Sequence, residues 1–112
     1  MSKRILILSD GIGHSSEELG GLLMRSFCYA LARASERPTA VMLMNEGVRL
    51  ACEGSDVLDD LRLLVEAGVA VKACGTCLDF LGLTEALAVG EIGAMVGAVS
   101  AMLGADDIVT IT

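Results

Sequence analysis

Five short apolar runs alternate along this chain with segments whose apolar residues recur at helical spacing. The runs are RILILS at residues 4 to 9, TAVMLM at 39 to 44, VAVKAC at 69 to 74, LAV at 87 to 89 and IVTIT at 108 to 112. RILILS and TAVMLM, apolar without helical period and followed by turn-forming residues, read as strands buried on both faces of a sheet, and the other three runs read as further strands. Strands and helices in strict alternation imply a mostly parallel sheet, because each parallel connection needs a long crossover. The fold class expected is therefore α/β, a three-layer α/β/α arrangement around five mostly parallel strands with helices on both faces. No linker, repeat or low-complexity segment breaks the 112 residues, so one domain spanning 1 to 112 is expected.

Ser15 or Ser16 starts the first helix. Glu17 and Glu18 fall in its first turn, where the helix dipole favours acids, and Leu19, Leu22, Leu23, Phe27, Ala30, Leu31 and Ala34 recur at core-facing spacing. That helix must end before Pro38. Ser55 is expected to cap a second helix that turns Val57, Leu58, Leu61, Leu64 and Val65 inward and stops at Gly68. A short helix follows from Cys77, and another runs from about Ile92 to Leu103. The pattern of VRLACEG, residues 48 to 54, selects no conformation.

Composition narrows the partners. Hydrophobic residues make up 54% of the chain and proline occurs once, which excludes a disordered segment. Aromatics are confined to Phe27, Tyr29 and Phe80, so the core is aliphatic and no platform exists for stacking bases. A net charge of -7 without any basic cluster repels a phosphate backbone, so nucleic acid is not an expected partner. Lys3 and Arg4 lead into only ILIL before Ser9 and Asp10, too little for a signal peptide. With no secretory signal and four unevenly spaced cysteines, a cytoplasmic chain with reduced thiols is expected rather than a disulfide scaffold.

In a parallel sheet the ligand crevice lies beyond the carboxyl ends of the strands. By that rule the loops DGIGHSS, NEGV and CGTC and the Val89-Gly90-Glu91 turn gather on one edge, which makes Gly11, His14, Asn45, Gly75 and Thr76 candidate substrate-binding residues beside Cys74 and Cys77. GIGHSS matches neither a P-loop nor a dinucleotide fingerprint, so it is a small anion-binding nest or a plain turn. His14 is a proton donor in the crevice or a solvated side chain.

The spacing of Cys74 and Cys77 admits four readings. Gly75 permits a tight turn, and Thr76 followed three residues later by Asp79 fits a capping box. Cys77 would then be the first helical residue, its thiolate stabilised by free backbone N–H groups, and so a candidate nucleophile. Lys72 shares a strand face with Cys74 and either assists its thiolate or reaches solvent. A redox dithiol also uses Cys-x-x-Cys at a helix start, but the flanking Trp and intervening Pro of thioredoxin-type sites are missing here. A zinc knuckle would need Cys28, Cys52 or His14 to converge on the pair, and nothing in the spacing forces that, so no metal is expected. The fourth reading is two packing residues, since free cysteine behaves as a small hydrophobe. Cys28 and Cys52 are expected to be structural, and no cofactor is implied.

The stretch CGTCLDFLGL resembles the cysteine motif of the DsrE-like family, in particular its YchN-like branch and the carboxy-terminal domain of YedF-type proteins. LSDGIGHSSEELGGLLM, MNEGVRL and ALAVGEIGAM agree with it in order and spacing, so the resemblance spans nearly the whole chain. It implies a homotrimer or homohexamer that works in a sulfur relay, where one cysteine holds sulfane sulfur as a persulfide. By motif position that cysteine is Cys77, with Cys74 the additional cysteine of the two branches named. A role in sulfur or selenium metabolism is implied. YedF-type proteins carry a TusA-like domain before this one, and this chain starts at its first strand, so the resemblance places the sulfur donor or acceptor, TusA-like or other, on a separate polypeptide. The alternative function is a dithiol redox enzyme or sensor in which Cys74 resolves an oxidised Cys77. A scaffold or binding module with inert thiols is the third.

Assembly has support independent of the family. IGAMVGAVSAMLGA, residues 92 to 105, carries no charge on any face, and a helix apolar all round must be buried. It falls short of the roughly 20 residues needed to cross a bilayer, so no membrane is expected and a subunit interface is.

Overall fold

A computed structural model describes residues 3 to 112. Five strands form one sheet: β1 (Lys3–Ile7), β2 (Ala40–Leu43), β3 (Ala70–Cys74), β4 (Glu91–Gly93) and β5 (Asp107–Ile111). The spatial order is β4-β3-β2-β1-β5 and every neighbouring pair is parallel. The helices are α1 (Glu17–Arg33), α2 (Leu58–Glu66), α3 (Gly75–Phe80) and α4 (Met95–Leu103). Residues 45–51 form a 3-10 helix, which takes in the NEGV loop and the first residues of VRLACEG, whose pattern selected no conformation.

Handedness explains the layers. From β1 the chain steps through β2 and β3 to β4 in one direction, then returns across the sheet to β5 beside β1. Right-handed crossovers place α1, α2 and α3 on one face and only the return connection, α4, on the other. The two faces are packed very differently. Ile5, Ile7, Val41, Leu43, Val71 and Ala73 point from the strands into a core closed by Met24, Cys28 and Ala32 of α1 and by Leu61 and Leu64 of α2. On the opposite face α4 has no buried residue at all.

The caps agree in part with the sequence. Ser16 accepts a hydrogen bond from Leu19 N at 3.1 Å, satisfying one orphan donor of α1. Ser55 accepts from Val57 N at 3.2 Å, so it holds the turn before α2 rather than capping the helix, whose cap position is Val57. Gly68, at φ +93, ends α2 as expected. The buried stripe of α1 is Gly20, Met24, Cys28 and Ala32, not the leucine set, and Leu19, Leu22 and Leu23 are each more than two-fifths exposed. Gly20 favours this phase, because the loop backbone at Gly11 and Ile12 lies against it and a Cβ there would already sit 3.3 Å from Ile12 O.

The fourth strand is not LAV. That stretch bonds to the exit of the 3-10 helix instead, with Ala88 N and Val89 N both donating to Ala51 O and Leu87 bridging Cys52. Gly90, at φ +82, then turns the chain onto the sheet so close to Val71 that a Cβ would lie 2.6 Å from its carbonyl oxygen. Glu91–Gly93 is β4, and α4 starts three residues later than expected. The Val89-Gly90-Glu91 turn therefore enters β4 at its amino end and does not join the loops at the carboxyl edge.

Leu64 is fully buried between α2 and the sheet. Leu64→Ala is expected to lower unfolding free energy by about 2 to 5 kcal/mol, measured by urea denaturation, from lost transfer energy plus the cavity left behind. Burial, helped by Asp60, pushes the Cys28 thiol up to about 12. The folded state thus keeps a proton that the unfolded chain releases near its ordinary value of about 8.5, and stability falls as pH rises from there toward 12.

Candidate functional site

The carboxyl ends of β2 and β3 bring Asn45, Cys74 and Cys77 together. Asn45 follows directly on Met44, whose N–H donates to Ile7 O at 3.0 Å, and adopts φ 52, a left-handed conformation that Asn tolerates better than most residues. Its side-chain Oδ1 accepts from Glu46 N at 2.9 Å, which stabilises the bend. The bend turns the Asn45 backbone N–H onto Cys77 Sγ at 3.1 Å. Asn45 is thus placed at the cysteine through its main chain, a role its residue type alone does not announce.

Gly47 makes that approach possible. Its Cα faces the end of β1 so closely that a Cβ would sit 2.3 Å from Ile7 O. Only glycine lets the 3-10 helix settle over β1 with Asn45 at the sulfur. The glycine in NEGV was legible as a turn former, but the contact with Ile7 joins residues forty apart and leaves no local signal.

The cysteine turn departs from the capping-box expectation. α3 begins at Gly75, its cap position is Cys74, and no side chain caps it. Thr76 is an exposed second helical residue and Cys77 the third. The reason is spatial: β4 runs beside β3 as far as Cys74 and Gly93, and Gly75 fits where a Cβ would lie 3.0 Å from Ile92 Cγ2, so the helix starts as soon as the strand ends.

Cys74 is buried and Cys77 is half-buried, packed against the core with its sulfur beside Cys74. The expected depression of the Cys77 thiol is not found. Burial pushes it up, the Asn45 N–H pulls it down, and the neighbouring Cys74 sulfur adds to the rise. Alkylation of Cys77 is accordingly expected to be slow at neutral pH and to keep accelerating above the ordinary thiol value of about 8.5, read by peptide mass spectrometry across a pH series. A plateau reached near neutrality would contradict this environment.

Lys72 does not serve Cys74. Its Nζ lies 3.2 Å from Glu91 Oε1, the residue opposite it on β4, so its charge is already paired. Gly11 lies beyond β1 and packs against Gly20, where a Cβ would meet Gly20 C at 3.2 Å. His14 is exposed in the same loop, which is anchored by Gly13 N to Thr112 O at 3.0 Å. Gly75 and Thr76 therefore share the turn with Cys77, whereas Gly11 and His14 belong to the loop at the β1–β5 end. Among the described residues no group of three or more His, Cys, Asp or Glu could hold a metal ion. Cys28 and Cys52 are buried, and Cys52 Sγ, just past the end of the 3-10 helix, donates to Val48 O at 3.3 Å.

The YchN protein of E. coli has a similar structure, with a TM-score of 0.73 and 27% sequence identity over 99% of this chain and 100% of that one. A protein of unknown function from Methanobacterium thermoautotrophicum matches with a TM-score of 0.64 at 18% identity, over 98% of this chain and 99% of that one. A conserved protein of unknown function from Bacteroides thetaiotaomicron matches at 0.61 and 13%, over 98% and 95% of the two chains. These two share the fold alone. No curated protein matches the sequence. The model of the DsrE/DsrF-like family matches residues 6–111, and with its parallel sheet and its cysteine turn at the carboxyl edge, this chain belongs to that family.

Proposed function

We propose that this protein is a cytoplasmic sulfur carrier, in which Cys77 takes sulfane sulfur from a donor and passes it to an acceptor thiol on another protein. Sulfur relay is the chemistry that membership of the DsrE/DsrF-like family points to. The observation that carries the reading to this site is the Asn45 N–H at 3.1 Å from Cys77 Sγ, a donor fixed in place for negative charge on that sulfur. In the loading step the Cys77 sulfur attacks the outer sulfur of a donor persulfide. A new S–S bond forms, the donor S–S bond breaks, and its electron pair leaves on the donor thiolate, which takes up the proton released by Cys77. The acceptor thiolate reverses the step: it attacks the outer sulfur and Cys77 departs as thiolate, again facing the Asn45 N–H.

The raised thiol suits a carrier that is idle alone and reacts when a partner closes over it. Incubation with a labelled persulfide donor should leave sulfur on the chain, and an added dithiol should remove it. A chain that takes up no label under conditions that load other persulfide carriers would exclude the reading. The dithiol alternative draws on the adjacency of Cys74 and Cys77, and a redox titration giving a reversible intramolecular disulfide would favour it.

The working unit is proposed to be a homotrimer or homohexamer. Val96 is 81% exposed and Leu103 84% on α4, and such a surface is seldom left in water. Val96→Glu with Leu103→Glu is expected to convert the assembly to monomer in analytical ultracentrifugation while the far-ultraviolet spectrum is unchanged.

A further inference from the structure

Between the sheet and α4 lies a cavity of about 400 Å³. Its origin is compositional. Ala40 and Ala70 pave the floor, Gly97, Ala98 and Ala101 form the roof, and none of these side chains reaches across the gap that leucine and isoleucine fill on the other face. Met42 and Met44 add flexible apolar walls.

Two cations line this cavity, and they differ. Lys72 is paired with Glu91. Arg4, at the amino end of β1, has a buried Nη1 with no hydrogen-bond partner, and its guanidinium makes no ion pair among the described residues. A buried guanidinium nitrogen without an acceptor is costly, and a planar fork of donors is matched best by a carboxylate. At about 30 Å³ for each water-sized group, the cavity holds roughly a dozen such groups. That lies within the usual range for small-ligand sites, which are mostly apolar with few polar anchors.

We infer that the cavity under α4 is a binding site for an amphipathic carboxylate, its head group on Arg4 and its apolar body between the sheet and α4. The site does not depend on the sulfur chemistry. It reaches Cys74 at its far end, so occupancy also shields that cysteine.

Decanoate titrated into the full chain by calorimetry, with decanol as the uncharged control, tests the assignment. Decanoate is expected to bind at one site per chain at least about tenfold more tightly than decanol, the order expected of a charge-assisted pair. Arg4→Met should weaken decanoate by a similar factor and leave decanol unchanged. Ala98→Phe, which fills the roof, should abolish both at an unchanged melting temperature. Saturating decanoate should also slow alkylation of Cys74. Equal binding of decanoate and decanol, an Arg4→Met variant that binds decanoate normally, or no decanoate binding by the folded chain would each overturn it. So would loss of self-association in Ala98→Phe without decanoate binding to the parent, which would make a second copy the occupant.

Discussion

Cys77→Ser should lose all capacity to carry sulfane sulfur, and Cys74→Ser should keep it. The asymmetry comes from the geometry of the pair. Cys77 is half-buried with the Asn45 N–H on its sulfur, whereas Cys74 is 8% exposed at the end of β3. Of the two, only the first has a backbone N–H from the described residues on its sulfur to hold the charge that loading requires. Cyanide treatment after loading, which releases sulfane sulfur as thiocyanate, measures the difference: about one equivalent per chain from the parent and from Cys74→Ser, and none from Cys77→Ser. Loss in both variants would instead indicate a dithiol in which each sulfur needs the other. Because Cys74 raises the Cys77 thiol, its removal should also speed Cys77 alkylation at a given pH.

Gly47→Val should damage both stability and sulfur loading. A Cβ at this position would lie 2.3 Å from Ile7 O and 3.0 Å from Ile7 C, both backbone atoms of a central strand that cannot give way like a side chain. The 3-10 helix must lift off β1, exposing the fully buried Val48 and Ala51. Overpacking of this kind costs about 1 to 3 kcal/mol, and lost burial adds to it. The lift also withdraws the Asn45 N–H from Cys77, so the thiol should rise further and sulfur loading should fall even where the variant stays folded. Denaturant midpoints and loading yields measured side by side separate the two effects. Unchanged stability and loading would show that the contact with Ile7 is not a constraint.

The fold was legible where periodicity is strong. β1, β2, β3 and β5 stand where their apolar runs lie, and the parallel order follows from alternation with helices. It was less legible where long-range contacts choose among local options. LAV looks like a strand, but Ala51 offers its carbonyl first, and Gly90 carries the chain on to place β4 four residues later. The leucines of α1 have helical spacing, yet Gly20 against the Gly11 loop favours another face turning inward. At the site, the cysteine pair and NEGV could be picked out by residue type and by the rule for parallel sheets. The start of α3 at Gly75 and the upward shift of Cys77 could not, because both depend on how closely β4 and the 3-10 helix pack around the turn.

The most direct test is to find the sulfur itself. After incubation with a persulfide donor and removal of excess reagent, peptide mass spectrometry of the assembled protein should show the added mass of one sulfur atom on Cys77. Cys28, Cys52 and Cys74 should remain unmodified. Sulfur found on any other cysteine, or on none, would contradict the account.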